Sequence, residues 1–203
     1  LAADEPLAFE IVNRHAPAPL LLICDHASNR VPRSLDRLGL AAPPLADHIA
    51  WDIGAAEVSR RLARRFDATL ILTNYSRLVV DCNRQLDDPS SIAAVSDNVP
   101  IPGNRGLSAH ERRRRAQTLF HPYHAAIGDL VAERHAPAIV AIHSFTPVFE
   151  NFQRPWHIGI LWNEDARLAK PIMAELARDP SRMIGDNEPY SARGEVGYTI
   201  KEH

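Results

Sequence analysis

Two aliphatic runs limit the folds open to this chain. LLLIC, Leu20 to Cys24, and AIVAI, Ala138 to Ile142, are apolar at successive positions, so as strands they present hydrophobic side chains to both faces of a sheet. Strands of that kind belong in the middle of a sheet covered on both sides. Each run then breaks abruptly into polar chemistry. Asp25, His26, Ser28 and Asn29 follow the first, closed by loop residues to Pro32, while His143, Ser144 and Phe145 follow the second before Pro147.

Helical patterns separate the strands. In ADHIAWDIGAAEVSRRLARRF, residues 46 to 66, the apolar positions Ile49, Ile53, Ala56, Leu62 and Phe66 recur near helical spacing, with Asp47 as N-cap and arginines gathered at the end. That helix would carry His48, Trp51 and Asp52 in its first turns. Ala68 to Asn74 and Arg77 to Cys82 read as strands, the second running out into Asp81, Asn83 and Arg84. Residues 85 to 107 read as a long loop. Ser108 to Glu111 forms a capping box that opens a helix to about Arg134, kinked or split at Pro122. A strand at His157 to Trp162, a helix from about Asp165 to Arg178 and a turn-rich tail complete the chain.

Strands alternating with helices predict a single α/β domain whose central sheet is mostly parallel or mixed, with helices on its flanks and sites at the carboxyl ends of strands. The 203 residues suffice for a core without disulfides, and two cysteines, Cys24 and Cys82, both in predicted buried strands, fit a reducing cytoplasm. No stretch approaches the roughly 18 apolar residues of a membrane span, and the start of the chain lacks a signal-peptide layout, so a soluble, unexported protein is expected. A formal net charge of -2 gives no reason to expect nucleic acid, and the ERRRR run at 111 to 115 reads as a solvated, salt-bridged helix surface.

In a parallel sheet His26, Arg84 and His143 emerge on one edge. Neutral imidazoles suit zinc, which in catalytic sites takes three protein ligands and keeps a position for water. Asp52 is the better third ligand, because a carboxylate is anionic where the Asn29 amide is neutral. His48, four residues earlier on the same predicted helix face, is an alternative ligand or a supporting group. Taken alone, each histidine is more often a hydrogen-bonded structural residue than a ligand, their similar contexts bring the two readings level, and Asp52 is equally a helix N-terminal charge. Arg84 offers a guanidinium fork for a carboxylate, with Arg77 a weaker copy, against a structural ion pair to Asp81, Asp87 or Asp88. His121 and His124, three apart on one helix, read as solvated or capping groups. Ser144 has no Gly-x-Ser-x-Gly elbow, and Asn187, Glu188 and Tyr190 read as a surface turn.

The segments DHASNRVP, WDIGA, SRLVVDCNR, HPYH, IHSFTP and GDNEPYS, in that order across almost the whole chain, resemble the N-formylglutamate amidohydrolase family. IHSF and the Asn83-Arg84 pair are more distantly similar to the zinc carboxypeptidases. The resemblance implies a phosphorylase/hydrolase-like α/β fold, one Zn²⁺ per chain, and hydrolysis of a small N-acyl amino acid such as N-formyl-L-glutamate to formate and glutamate, a step of histidine degradation. It implies His26 and His143 as metal ligands with Asp52 as the third, and Asn83 and Arg84 as the clamp on a substrate carboxylate, with Arg77, Asn187 and Tyr190 as further substrate contacts. Two departures stand out. Asn29 occupies the place of a ligating glutamate in the carboxypeptidases, and the family's strand with a catalytic glutamate is expected beyond residue 203. Within the chain, Glu188 and His203 are the catalytic candidates, with Glu195 and Glu202 as alternatives. The other functions left open are hydrolysis of another N-acyl or peptide substrate, and non-enzymatic small-molecule binding.

Overall fold

A computed structural model of the chain describes residues 1 to 134, 137 to 193 and 197 to 203. They form two compact units, Leu1–Ser144 with Tyr198–His203, and Phe145–Gly197. The fold is α/β with a mixed central sheet, as expected. In the first unit β1 (Phe9–Val12), β2 (Leu20–Cys24), β3 (Thr69–Thr73) and β6 (Ala138–Ala141) make a sheet in the order β1-β3-β2-β6. The strands β3, β2 and β6 run parallel, while β1 lies antiparallel on the edge beside β3.

The run of β2 is continuous because both faces of the sheet are covered there, whereas β6, expected in the middle, is the edge strand among the described residues and only partly buried. Leu21, Ile23 and Ile71 point into one core together with Tyr123, Ile127 and Leu130 of α4 (His121–Glu133). Leu22, Cys24, Leu70 and Leu72 point into a second core with Ala55 and Ala63 of α2 (Ala55–Phe66). Leu21 and Ile23 are fully buried, so cutting either back to alanine is expected to cost about 2–5 kcal/mol. Parallel pairing aligns the strand ends: Ile23 registers with Ala141, and the Ile142 N–H donates to the Ile23 carbonyl at 2.8 Å. The residues just beyond, Asp25-His26 and His143-Ser144, therefore leave the sheet side by side.

The structure corrects two elements. Arg77 to Cys82 is a buried turn and not a strand. Its Leu78, Val79, Val80 and Cys82 are apolar because they face the core, and side chains satisfy its carbonyls where a ladder would: Asn104 Nδ2 donates to Leu78 O at 2.8 Å and Arg115 Nη1 to Val79 O at 3.0 Å. The helix predicted from Ala46 begins only at Ala55. A short α1 (Ala42–Ala46) ends ahead of Asp47, and Gly54 sits at φ 84°, a left-handed conformation that a helix cannot contain. Trp51 and Asp52 thus lie in the turn before α2.

Residues 85 to 107 carry two short 3-10 turns and the hairpin of β4 (Val95–Ser96) and β5 (Val99–Pro100). The Ser108 capping box opens α3 (Ala109–Arg115), a wider π turn follows over Ala116–Phe120, and Pro122 stands in the first turn of α4, where its missing N–H does no harm. In the second unit β7 (Val148–Phe149) and β8 (Phe152–Gln153) form a hairpin. There β9 (Ile158–Ile160) pairs in parallel with β10 (Ile184–Asp186) after α5 (Ala169–Leu176). The strand expected at His157 to Trp162 is therefore part of this small sheet and not of the central one. The last helix, α6 (Tyr198–Glu202), belongs to the first unit. Among the described residues no helix is long and apolar enough to cross a membrane.

Candidate metal centre

His26, Asp52 and His143 converge at the carboxyl ends of β2 and β6, with one potential ligand atom from each lying within 4.8 Å of the others. The backbone brings them there directly. The two histidines leave neighbouring parallel strands, and the Asp52 N–H donates to the His26 carbonyl at 2.9 Å, tying the turn before α2 to the end of β2. Asp52 Oδ2 lies 2.9 Å from His143 Nδ1 and 3.5 Å from His26 Nδ1, and it also accepts the Ser144 N–H at 3.2 Å. His26 is buried, whereas the His143 side chain is 32% exposed, so the cluster meets solvent on the His143 side.

Each imidazole is backed by a second carboxylate. His26 Nε2 is 2.7 Å from Asp81 Oδ1, and His143 Nε2 is 3.4 Å from Asp25 Oδ2. Both Nδ1 atoms thus face Asp52 while both Nε2 atoms face a buried aspartate, the arrangement in which a carboxylate fixes a ligand imidazole from behind. Arg77 closes the cluster, 3.4 Å from Asp52 and 3.0 Å from Asp81.

A divalent cation fits this donor set. His26 Nδ1, buried and turned toward Asp52, has no hydrogen-bond partner, a costly state for a polar atom unless something else occupies its lone pair. Ligands of a tetrahedral zinc lie about 3.4 Å apart, close to the spacings seen here. Asp25, Asp52 and Asp81 against Arg77 leave two negative charges, which a divalent cation would balance with both imidazoles neutral. Without a cation, protons take its place. Burial pushes the His143 imidazole down, but Asp25 and Asp52 outweigh it and bring the pKa up to about 10. Burial and Arg77 push His26 down, and Asp81 and Asp52 reverse that into a raised value. Burial likewise pushes Asp52 and Asp81 up, yet the imidazoles beside Asp52, and His26 and Arg77 beside Asp81, hold both well below the usual carboxylate range.

The other predicted site residues are placed as follows. Asn83 joins the rim, its Nδ2 3.5 Å from His143 Nε2 and its Oδ1 accepting the Thr199 N–H at 3.0 Å. Arg84 follows it, half-buried, with its N–H on the Asp81 carbonyl at 3.3 Å. Asn29 is turned away, donating to the Leu45 carbonyl at 2.8 Å, and His48 is held between Asp47 at 2.7 Å and Asp97 at 3.3 Å. Neither enters the His26, Asp52 and His143 group. His203 Nε2 lies 3.0 Å from His124 Nδ1, the rings stacked, and His124 Nε2 donates to the Cys82 carbonyl at 2.9 Å.

Asn187, Glu188 and Tyr190 belong to the second unit. Asn187 Oδ1 accepts the N–H groups of Trp162 and Ala192, both at 3.1 Å, and the Tyr190 hydroxyl accepts Arg154 at 2.9 Å. The Glu188 carbonyl packs so tightly on Gly159 and Gly185 that a Cβ there would lie 2.1 Å and 2.6 Å from its oxygen. Glu202 is exposed in α6, and Glu195 lies outside the described residues.

Four residues that complete the cluster escape the sequence reading as site groups. Asp25 and Asp81 show there only as charges closing apolar runs. Tyr123, inside the HPYH segment, and Thr199, inside GYTIKEH, look like ordinary helical residues, yet both are fully buried with hydroxyls on Asp25 Oδ1 at 3.0 Å and 2.9 Å. No local sequence signal announces contacts 98 and 174 residues apart.

Fold and cluster define a class: an α/β protein with a candidate metal centre where parallel strands end. Within it, the chain belongs to the N-formylglutamate amidohydrolase family, whose profile matches residues 18–203. It is similar to the solved gene product Atu2144 from Agrobacterium tumefaciens, at 39% identity and a TM-score of 0.93 over 98% of this chain and 80% of that one. It shares its fold with N-formylglutamate amidohydrolase from Ralstonia eutropha JMP134, at 19% identity and a TM-score of 0.62 over 97% of this chain and 80% of that one. No curated protein matches the chain significantly. The family supports an amidohydrolase function.

Proposed function

We propose that the chain hydrolyses a small N-acyl amino acid, with N-formyl-L-glutamate as the favoured substrate and zinc as the resident metal. The observation that carries this reading is the convergence of His26, Asp52 and His143 within 4.8 Å, in a chain of amidohydrolase family. Zinc bound there supplies Lewis acidity for the acyl carbonyl and a lowered pKa for water. The chain's own residues do the rest. Asp81 and Asp25 hold the imidazoles with their Nδ1 atoms toward Asp52. Asn83, anchored through its carbonyl by the Thr199 N–H, keeps its amide donors for the rim, and Arg84 beside it supplies a fork for the substrate carboxylate. Holding that carboxylate turns binding energy into orientation of the amide. Arg77 acts through Asp52 and Asp81.

Proton transfer is assigned to His203, which takes a proton from the attacking water and passes it to the leaving amine. His124 gives its Nε2 proton to the Cys82 carbonyl, so its Nδ1 accepts from His203 Nε2, and the His203 Nδ1 lone pair is left as a proton acceptor. Burial pushes His203 below its usual pKa, which keeps that acceptor neutral at pH 7. A formate-release assay on the zinc-loaded chain tests the substrate: Arg84→Ala is expected to raise KM for N-formyl amino acids about 10–100-fold, an ion-paired hydrogen bond's worth, and to leave the corresponding carboxamides, which lack the carboxylate, unaffected. Equal KM changes for both classes would remove the clamp from Arg84.

A further inference from the structure

Asp25 is an unusual group to find behind a ligand histidine, because its two oxygens are treated so differently. It is buried, and Oδ1 accepts two hydroxyl protons, from Tyr123 at 3.0 Å and from Thr199 at 2.9 Å. Oδ2 has no hydrogen-bond partner and lies 3.4 Å from His143 Nε2. Rotating Asp25 would take Oδ1 from both donors, removing the acceptor of the buried Tyr123 hydroxyl and leaving Thr199 with only the longer Cys82 carbonyl contact at 3.3 Å. The pair of hydroxyls therefore fixes the plane of Asp25 and leaves Oδ2 as the acceptor for the proton on His143 Nε2. With that proton held there, Nδ1, 2.9 Å from Asp52 Oδ2, is the nitrogen that would give up its proton and offer its lone pair to a divalent cation.

We propose that Tyr123 and Thr199 are positioning residues of the metal centre: acting through Asp25, they hold His143 in the tautomer and orientation that a divalent cation requires. The two come from distant parts of the chain. Tyr123 is fixed in α4, which covers one face of the sheet, and Thr199 in α6, whose backbone N–H at the same residue also anchors Asn83. Thr199 is wholly buried and thus serves both the ligand shell and the rim from one position. The proposal rests on the zinc reading above and deepens it by naming what keeps the second histidine in register.

The experiment measures Zn²⁺ affinity by competition with a chelating dye, and the visible spectrum of the Co²⁺-substituted chain, in wild type, Thr199→Val, Thr199→Ser and Tyr123→Phe. Valine keeps the volume and the backbone N–H on Asn83, so the hydroxyl is lost from Asp25 and from the Cys82 carbonyl at 3.3 Å, the latter still paired with His124. Thr199→Val and Tyr123→Phe are each expected to weaken Zn²⁺ binding about tenfold or more and to shift the Co²⁺ bands, and Thr199→Ser to bind within about threefold of wild type. Thr69→Val is the control for loss of a buried hydroxyl elsewhere, since Thr69 donates to the Asn13 carbonyl at the opposite end of β3. It should lower Tm and leave Zn²⁺ affinity unchanged. Wild-type affinity and an unshifted Co²⁺ spectrum in both Thr199→Val and Tyr123→Phe would overturn the proposal with the metal reading intact. A wild-type chain that takes up neither Zn²⁺ nor Co²⁺ would overturn both.

Discussion

The first unit holds two histidine pairs in contact, and their surroundings set them to opposite tasks. His26 and His143, ring centroids 5.1 Å apart, sit among Asp25, Asp52 and Asp81. His124 and His203, 5.3 Å apart, sit against Phe120, Tyr198 and a backbone carbonyl. Carboxylates in direct contact raise the first pair, while burial outweighs the pull of Asp25 and Glu202 and lowers the second. One pair is thus built to share its site with positive charge, whether protons or a metal, and the other to stay neutral. The chemistry follows from the neighbours and not from the residue type.

The sharpest way to break this comparison is to remove a ligand. His26→Ala and His143→Ala are each expected to reduce bound zinc from about one per chain to none, and amide hydrolysis by about 10³-fold or more, a loss of roughly 4 kcal/mol of transition-state stabilisation. His124→Gln should retain its zinc. Elemental analysis of the purified variants decides it, and zinc lost equally from His124→Gln would show that the second pair is not separate from the metal centre.

Next in size is His203→Ala. If the neutral pair is the proton acceptor, kcat should fall about 10²-fold with zinc content unchanged, the range for loss of one general acid–base group. Steady-state kinetics against metal content separates this from ligand loss. An unchanged kcat would take the role from His203.

Much of the first pair's placement was legible in the sequence, and almost none of the second pair's. Apolar runs such as Leu20–Cys24 and Ala138–Ala141 name parallel strands, the first buried and the second at the edge, and parallel register then delivers His26 and His143 together with no further information. Asp52 was legible as a candidate ligand by its chemistry, although its expected helix begins three residues later, because Gly54 can take a left-handed backbone that propensity alone does not require. Arg77 to Cys82 misled for a physical reason: burial selects apolar residues in a turn as it does in a strand, and side chains distant in sequence, Asn104, Arg115 and His124 among them, satisfy its carbonyls. Asp25's dependence on Tyr123 and Thr199, like the pairing of His124 with His203, is a product of tertiary packing and leaves no periodicity to read.

The pH response sharpens the comparison most finely. In the metal-free chain His143 has a pKa raised to about 10, against about 6.5 when unfolded, so its contribution to stability is complete below about 6.5 and is lost as pH rises through about 10. His124 and His203 are lowered, so they act with the opposite sign, and stability falls as pH drops below about 6.5 and their protonation becomes favourable only on unfolding. Zinc displaces the protons of the first pair, so its apparent affinity should rise with pH up to about 10, tenfold per pH unit for each proton released and so up to about 100-fold per unit where both imidazoles lose one. His124→Gln should leave that slope intact and flatten only the acid limb of the stability curve. Calorimetric zinc titrations in buffers of different ionisation enthalpy count the protons directly, and a count of zero at pH 7 would mean that the carboxylates do not hold His26 and His143 charged in the metal-free chain.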